Sequence, residues 1–279
     1  MDIIEAMKKE MLRRKLSHRT IMTYLFYVRK FLLFCPKDPK QFSKKDCREF
    51  LMRFMEKDLK WAGKKNSEIA GSTLNVALNS LRFMMEEVLR KSMRLNIRYS
   101  KTPKTAATCL SKEEVKALIS VIVNPKHRLL ISLMYGAGLR VSEAVKLKAE
   151  DIELEEDLGW VRRGKGNKDR PFIVPKGLKE YLQKLIEDSG TYLFPGQNGH
   201  LSARSVQEIV KKASKKAKIK KKIHPHTLRH SFATHLLEVG NDVTVVQALL
   251  GHNEARTTLE YLHNVKPRMI SVKSPFDNL

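Results

Sequence analysis

Arg140 stands in G-A-G-L-R-V-S-E, directly behind two glycines, and Glu143 follows three residues later, on the same face of the helix that begins there. An arginine so placed is as a rule structural, because a guanidinium is rarely buried without a carboxylate, and Glu143 is the partner at hand. The segment H-P-H-T-L-R-H-S-F-A-T-H adds His226 and Arg229 at i and i+3, a spacing that aims both side chains at one point from a single helical turn. His226 and His230, at i and i+4, also have a metal-ligand spacing. Against that use, the glutamate of an H-E-x-x-H motif is missing, no cysteine is near, and Arg229 would repel a cation. His230 and His235 are expected to pack or hydrogen-bond in the interior. In L-L-G-H, Gly251 is a natural helix C-cap, so His252 leaves the helix and can face a cleft, and Tyr261 lies nine residues on. Most tyrosines on short polar helices only pack, and most lysines at the tip of a turn, such as Lys165 in G-K-G-N-K-D, are only solvated.

Taken as a set, two arginines, the histidines, a lysine and a tyrosine fit phosphoryl transfer. Arg140 and Arg229 can each fork two N–H bonds onto non-bridging phosphate oxygens, where charge builds in a pentavalent transition state. They would stand in for a metal ion, so neither metal nor cofactor is expected. Tyr261 would be the nucleophile. Its free pKa of about 10 leaves little phenolate at neutral pH, so adjacent cations and a histidine acceptor must promote loss of its proton. Lys165 is the candidate to protonate the departing oxygen.

Two groups of elements must carry these residues. The first hundred residues read as about four helices. One opens the chain near residues 3–12. The next starts at Ser17 as N-cap, runs through Ile21, Leu25, Val28 and Leu32, and stops at Pro36. Two more cover about residues 46–59 and 72–89, giving a bundle without evident catalytic chemistry. Its aromatics Tyr24, Phe26, Tyr27, Phe31 and Phe34 are expected to pack in core and groove. Residues 98–108, R-Y-S-K-T-P-K-T-A-A-T, are basic, small and aperiodic, the composition of a linker between a domain at 1–97 and one at 109–263. The second domain opens with the capping box S-K-E-E at residues 111–114. Helices are expected at 112–123 and 126–137. A hairpin then runs W-V-R-R to R-P-F-I-V-P around the Gly and Asn turn, with a third strand at 151–155. Further helices are expected at 176–188, 202–217, 226–239, 243–250 and 256–263. The fold class is therefore mainly α with a small antiparallel β-sheet.

The chain has 279 residues, long enough for two domains, each with its own core. At 42% hydrophobic and 30% charged it is neither disordered nor collagen-like. Residues 129–139, the longest nearly uncharged apolar stretch, are about half the roughly 20 residues of a membrane span. Asp2 and Glu5 do not fit a secretory signal. Cys35, Cys47 and Cys109 are odd in number and widely spaced, which offers no disulfide framework and suits a reduced, cytoplasmic setting. The net charge is +24, and it is shared: residues 1–100 hold 23 basic and 11 acidic side chains, and the remainder 31 and 19. A polyanion passing both domains would use that distribution, because each neutralised phosphate releases counterions. Nucleic acid is the leading partner. The run at 211–222, with eight lysines in twelve residues, is either a solvated face or a phosphate contact through Lys211, Lys212, Lys215 and Lys216.

In order along the chain, A-G-L-R-V-S-E, R-R-G-K-G-N-K-D-R, H-P-H-T-L-R-H-S-F-A-T-H-L-L, L-L-G-H and T-T-L-E-Y-L-H resemble the motifs of the tyrosine recombinases and integrases, most of all the Xer type with its archaeal XerA branch. The N-terminal helices, with S-x-R-T-x-x-x-Y at residues 17–24, look like the SAM-like core-binding domain of that family. The resemblance implies an α+β catalytic domain in which Arg140, Lys165, His226, Arg229 and His252 surround a scissile phosphate, Tyr261 attacks it, and Glu143 supports the site. It implies a 3′-phosphotyrosyl intermediate, a free 5′-hydroxyl, and exchange through a Holliday junction held by four protomers on two sites, with dimers or monomers when free. It also implies two domains closing on duplex DNA, and a tail at 264–279 docked on a neighbouring protomer. With no arm-binding segment ahead of the helices, the expected role is resolution of chromosome or plasmid dimers, tied to chromosome partition and cell division. A mobile-element integrase, a type IB topoisomerase-like relaxing enzyme and a DNA-binding protein with a vestigial site are the alternatives.

Overall fold

The structure, a computed structural model, describes residues 2–56, 69–92, 108–162, 169–188, 190–197 and 199–251. The chain divides into two units, residues 1–104 and 105–279.

In the first unit, α1 (Ile3–Arg13) is capped by Asp2 and α2 (His18–Phe34) by Ser17, whose side chains accept first-turn N–H groups. α3 (Lys44–Glu56) begins two residues before the sequence suggests, because Ser43 and Asp46 close a reciprocal cap: the Asp46 N–H donates to Ser43 Oγ and the Ser43 N–H to Asp46 Oδ2. α4 (Gly71–Phe83) widens into a π-helical turn at Met84–Val88, so the single helix expected over 72–89 changes pitch near its end. α2 packs on α1, α3 and α4. Their apolar stripes meet in a core of Met7, Met11, Val28, Phe31, Phe50, Leu78, Leu81 and Met84. Phe31 stands edge-on to Phe42 and Phe50, with centroids 5.1 and 5.6 Å away. Tyr27 is buried, and Tyr24 and Phe34 pack against this core, whereas Phe26 is 47% exposed and packs edge-on to Tyr27 along a surface groove, with centroids 5.2 Å apart.

The second unit starts as its sequence predicts, with Ser111 and Glu114 closing the capping box on α5 (Lys112–Ser120). α6 (Pro125–Gly136) follows, then a four-residue α7 (Val141–Ala144). β1 (Ile152–Glu153), β2 (Leu158–Val161) and β3 (Arg170–Ile173) form an antiparallel sheet in that order, with Val161 opposite Arg170. Along β3 burial alternates, so that Arg170 and Phe172 face inward while Pro171 and Ile173 face out. α8 (Lys179–Glu187) leads to a two-residue pair, β4 (Pro195–Gly196) and β5 (Gly199–His200), that the sequence reading lacks. α9 (Ala203–Lys216), α10 (Pro225–Glu238) and α11 (Val243–Leu250) complete the described chain. α10 packs against α6, α9 and α11 and is buried on nearly every side, which makes it the axis of the unit. The helix expected at 256–263, the tail at 264–279 and most of the linker at 98–108 lie outside the described residues. Among the described residues no helix is long and apolar enough to cross a membrane. Cys35, Cys47 and Cys109 are all free thiols.

Candidate active site

The site is organised around the Glu143 carboxylate. Gly138 has φ 61°. A Cβ there would come within 2.4 Å of the Phe232 ring, so the turn after α6 needs glycine twice over, for its dihedral and for its packing. That turn delivers Arg140 as the residue capping α7. The Arg140 N–H donates to Glu143 Oε2 at 2.9 Å, and Arg140 Nη1 donates to Oε1 at 2.7 Å. The pairing expected from their i, i+3 spacing is present.

Two further guanidinium groups reach the same carboxylate. Arg170, from the inner face of β3, donates through Nη2 to Glu143 Oε2 at 2.6 Å. Arg229, from the second turn of α10, is fully buried, with Nη1 3.9 Å from the same oxygen. Arg229 also donates to the carbonyl of Gly138 at 2.6 Å and to that of Leu250. Burial alone would raise the Glu143 carboxyl, but Arg170 and then the Arg140 N–H and guanidinium outweigh it and hold the pKa below the ordinary glutamate value. Three cations against one carboxylate leave a positive surplus in a partly dry place, the electrostatic character that an anion needs.

His226 opens α10 and keeps an exposed edge. Partial burial, then Arg229 and Arg140, push its pKa below the usual histidine value, so the ring is neutral at pH 7 and one nitrogen can accept a proton. His235 is buried with Nδ1 2.8 Å from the Tyr135 hydroxyl, and His230 is buried as well; both have the interior roles the sequence suggests. Ser231, two residues beyond Arg229, accepts the Leu110 N–H at 2.9 Å and so ties the start of the unit to α10. Gly251 ends α11 at φ 61° and ψ 49°, the left-handed C-cap expected of it.

Arg140, Glu143, His226 and Arg229 are thus gathered from two distant stretches of chain, whereas Lys165, His252 and Tyr261 lie outside the described residues. Arg170 is the residue that sequence reasoning passed over. Its signal was the alternation of R-P-F-I-V, which puts Arg170 on the same inward face as Phe172 and Val174. On α9, Val206, Val210 and Ala213 face the core while Lys211, Lys212, Lys215 and Lys216 are exposed. Farther along the same run, Lys221 donates to the Cys109 carbonyl at 2.9 Å and to Glu114 at 2.6 Å, a structural use.

The phage integrase family matches residues 108–268, and the phage integrase N-terminal SAM-like domain matches residues 3–94. The chain is 38% identical over 257 residues to tyrosine recombinase XerA of Pyrococcus furiosus, covering 88% of this chain and 83% of that one. It is 31% identical over 281 residues to the putative integrase/recombinase y4qK of Sinorhizobium fredii, covering 99% of this chain and 88% of the other. Among solved structures, XerH site-specific recombinase bound to difH substrate in a pre-cleavage complex is similar with a TM-score of 0.65 and 27% identity, over 89% of this chain and 76% of that one.

Proposed function

The chain belongs to the phage integrase family and is a tyrosine recombinase, and from that premise we propose that it cuts and rejoins duplex DNA at a specific site through a covalent link to Tyr261. The observation that carries this reading is the Glu143 hub, where guanidinium groups from separate stretches of chain converge beside a neutral histidine. Arg140 and Arg229 take the two non-bridging oxygens of the scissile phosphate and stabilise the charge that grows on them. The Tyr261 oxygen attacks phosphorus, its proton passing to a neutral histidine, and the bond to the 5′-oxygen breaks as Lys165 supplies a proton. A 3′-phosphotyrosyl link and a 5′-hydroxyl result, and a 5′-hydroxyl from the partner duplex reverses the step. One phosphodiester replaces another, so the cycle needs no external energy source, and the arginines carry the charge compensation that a metal ion would otherwise supply.

We assign His252 to the same site, on the ground that it directly follows Gly251, the left-handed C-cap of α11. Lys211, Lys212, Lys215 and Lys216 meet the phosphate backbone, and removing each is expected to lower the salt dependence of DNA binding by about one unit of slope. Four protomers on two sites exchange strands through a Holliday junction, with the tail at 264–279 joining neighbours. Resolution of chromosome or plasmid dimers is the role we favour. Integration of a mobile element is the second reading, supported by the likeness of nearly the whole chain to a putative integrase/recombinase.

A nicked suicide duplex tests the reading. The wild-type protein should accumulate a covalent protein–DNA adduct, and Tyr261→Phe should form none. An adduct formed by Tyr261→Phe would remove the proposed nucleophile, and the lack of any adduct with wild-type protein on candidate sites would remove the cleavage reading itself.

A further inference from the structure

We infer that Arg170 is a positioning residue for strand cleavage, locking the Arg140–Glu143 pair and the end of α11 into one register. The inference deepens the reading above and rests on it, since it takes Arg140 and Arg229 as the groups that hold the phosphate.

The alternation of β3 turns Arg170 into the interior, where a charge is costly unless it is matched by good partners. It has two. Nη2 donates to Glu143 Oε2 at 2.6 Å, and Nη1 donates to the Leu249 carbonyl at 2.6 Å. The next carbonyl along, that of Leu250, is taken by Arg229. The last carbonyls of α11, the negative pole of that helix, are therefore held by two guanidinium groups that also share Glu143. Gly251 closes against the same side chain: a Cβ at that position would lie 2.5 Å from Arg170 Cδ, so the αL turn is moulded on the arginine stem.

Geometry and charge act together here. Arg170 engages one oxygen of Glu143, and the other receives Arg140 Nη1, which fixes the plane of the Arg140 guanidinium. Arg170 is also the first residue of β3, a few positions along the sequence from Lys165, and it holds the end of α11, a few positions before His252. A single fork thus couples three pieces of chain that each lead to a group proposed to meet the phosphate. Lysine at this position, with one ammonium on a flexible stem, cannot make the same planar bridge between a carboxylate and a carbonyl.

The full-length protein carries the test, with Arg170→Met, Arg170→Lys, Glu143→Gln and the Arg170→Met/Glu143→Gln pair. Three quantities are read: single-turnover adduct formation on the suicide duplex, affinity for the uncleaved duplex, and the melting transition. Arg170→Met should form the adduct about 100-fold more slowly, the loss that a misplacement of about 1 Å brings, while duplex affinity stays within about twofold. Arg170→Lys should melt near wild type yet still lose about tenfold in rate. The double variant should cleave far faster than the product of the single losses predicts, because the two groups act as one unit. Wild-type rates in either Arg170 variant, or strictly multiplicative losses in the cycle, would overturn the inference. If Arg170→Met fails to fold, the rate of Arg170→Lys decides alone. Tyr261→Phe run in parallel separates the two failures: a Tyr261-dependent adduct that is indifferent to Arg170 sinks only the positioning role.

Discussion

The two units treat buried charge in opposite ways. In the N-terminal unit, among the described residues, Asp46 is the one charged side chain that is buried, and it sits at the margin, held by Lys37 Nζ at 2.6 Å and by the Ser43 N–H at 2.8 Å and hydroxyl at 2.6 Å. The centre of that unit is aromatic and aliphatic. In the second unit the charges lie at the centre: Glu143, Arg170 and Arg229 are all buried, Arg229 on α10 itself, the element on which α6, α9 and α11 pack. An apolar interior gives a unit its shape. A charged interior costs desolvation, and it gives fixed dipoles in a medium where each is worth more than it would be in water. The placement of charge therefore separates a unit with an apolar interior from one whose interior holds the groups proposed to do chemistry.

The comparison breaks most readily at Glu143. Glu143→Ala leaves Arg170 buried without its carboxylate and should destabilise the second unit by about 3–5 kcal/mol, read by denaturant unfolding with a probe in each unit. A loss no larger than that at Asp46 would mean that the central charges are not a connected set. Arg229→Ala comes next, with cleavage expected to fall by about 100- to 1,000-fold, the range found when one donor to a developing oxyanion is removed. Its measurement is adduct formation under single-turnover conditions.

Asp46→Ala should cost the first unit about 1.5–3 kcal/mol, as for hydrogen bonds to a charged group. The pH dependence has a definite sign. Lys37 and then Ser43 hold the Asp46 carboxyl down at about 2, below the ordinary aspartate value. Its contribution is therefore complete above about pH 4 and is lost as the pH falls through 2. Glu143 is shifted in the same direction, so acid weakens both units, and Asp46→Asn should remove part of that acid dependence from the first unit alone.

Most of the fold was legible because its signals are local. Ser17 and Pro36 bracket α2, the S-K-E-E box opens α5, and Gly251 closes α11, each by a rule that spans at most a few residues. The Arg140–Glu143 pair was legible for the same reason. Arg170 was not, because its partners lie 27 and 79 residues away and only the folded sheet brings them near. The β4–β5 pair was too short to have a period. The π-helical turn after α4 was hidden because the apolar stripe of Leu74, Leu78, Leu81 and Val88 runs through it without a break, while the hydrogen-bond ladder widens beneath.

The smallest expected effect sharpens the contrast most. Ser17 caps α2 by accepting the Thr20 N–H at 3.1 Å, and Ser111 caps α5 by accepting the Glu114 N–H at 3.2 Å. Both caps are exposed and obey the same local rule, one in each unit, so Ser17→Ala and Ser111→Ala should each cost about 1 kcal/mol in the unit that holds it. Equal costs at the caps, alongside unequal costs at Asp46 and Glu143, would place the difference between the units in their interiors. A cap in the second unit costing several times its counterpart would instead mean that the whole unit is less forgiving, and the large effect at Glu143 would then need no special network to account for it.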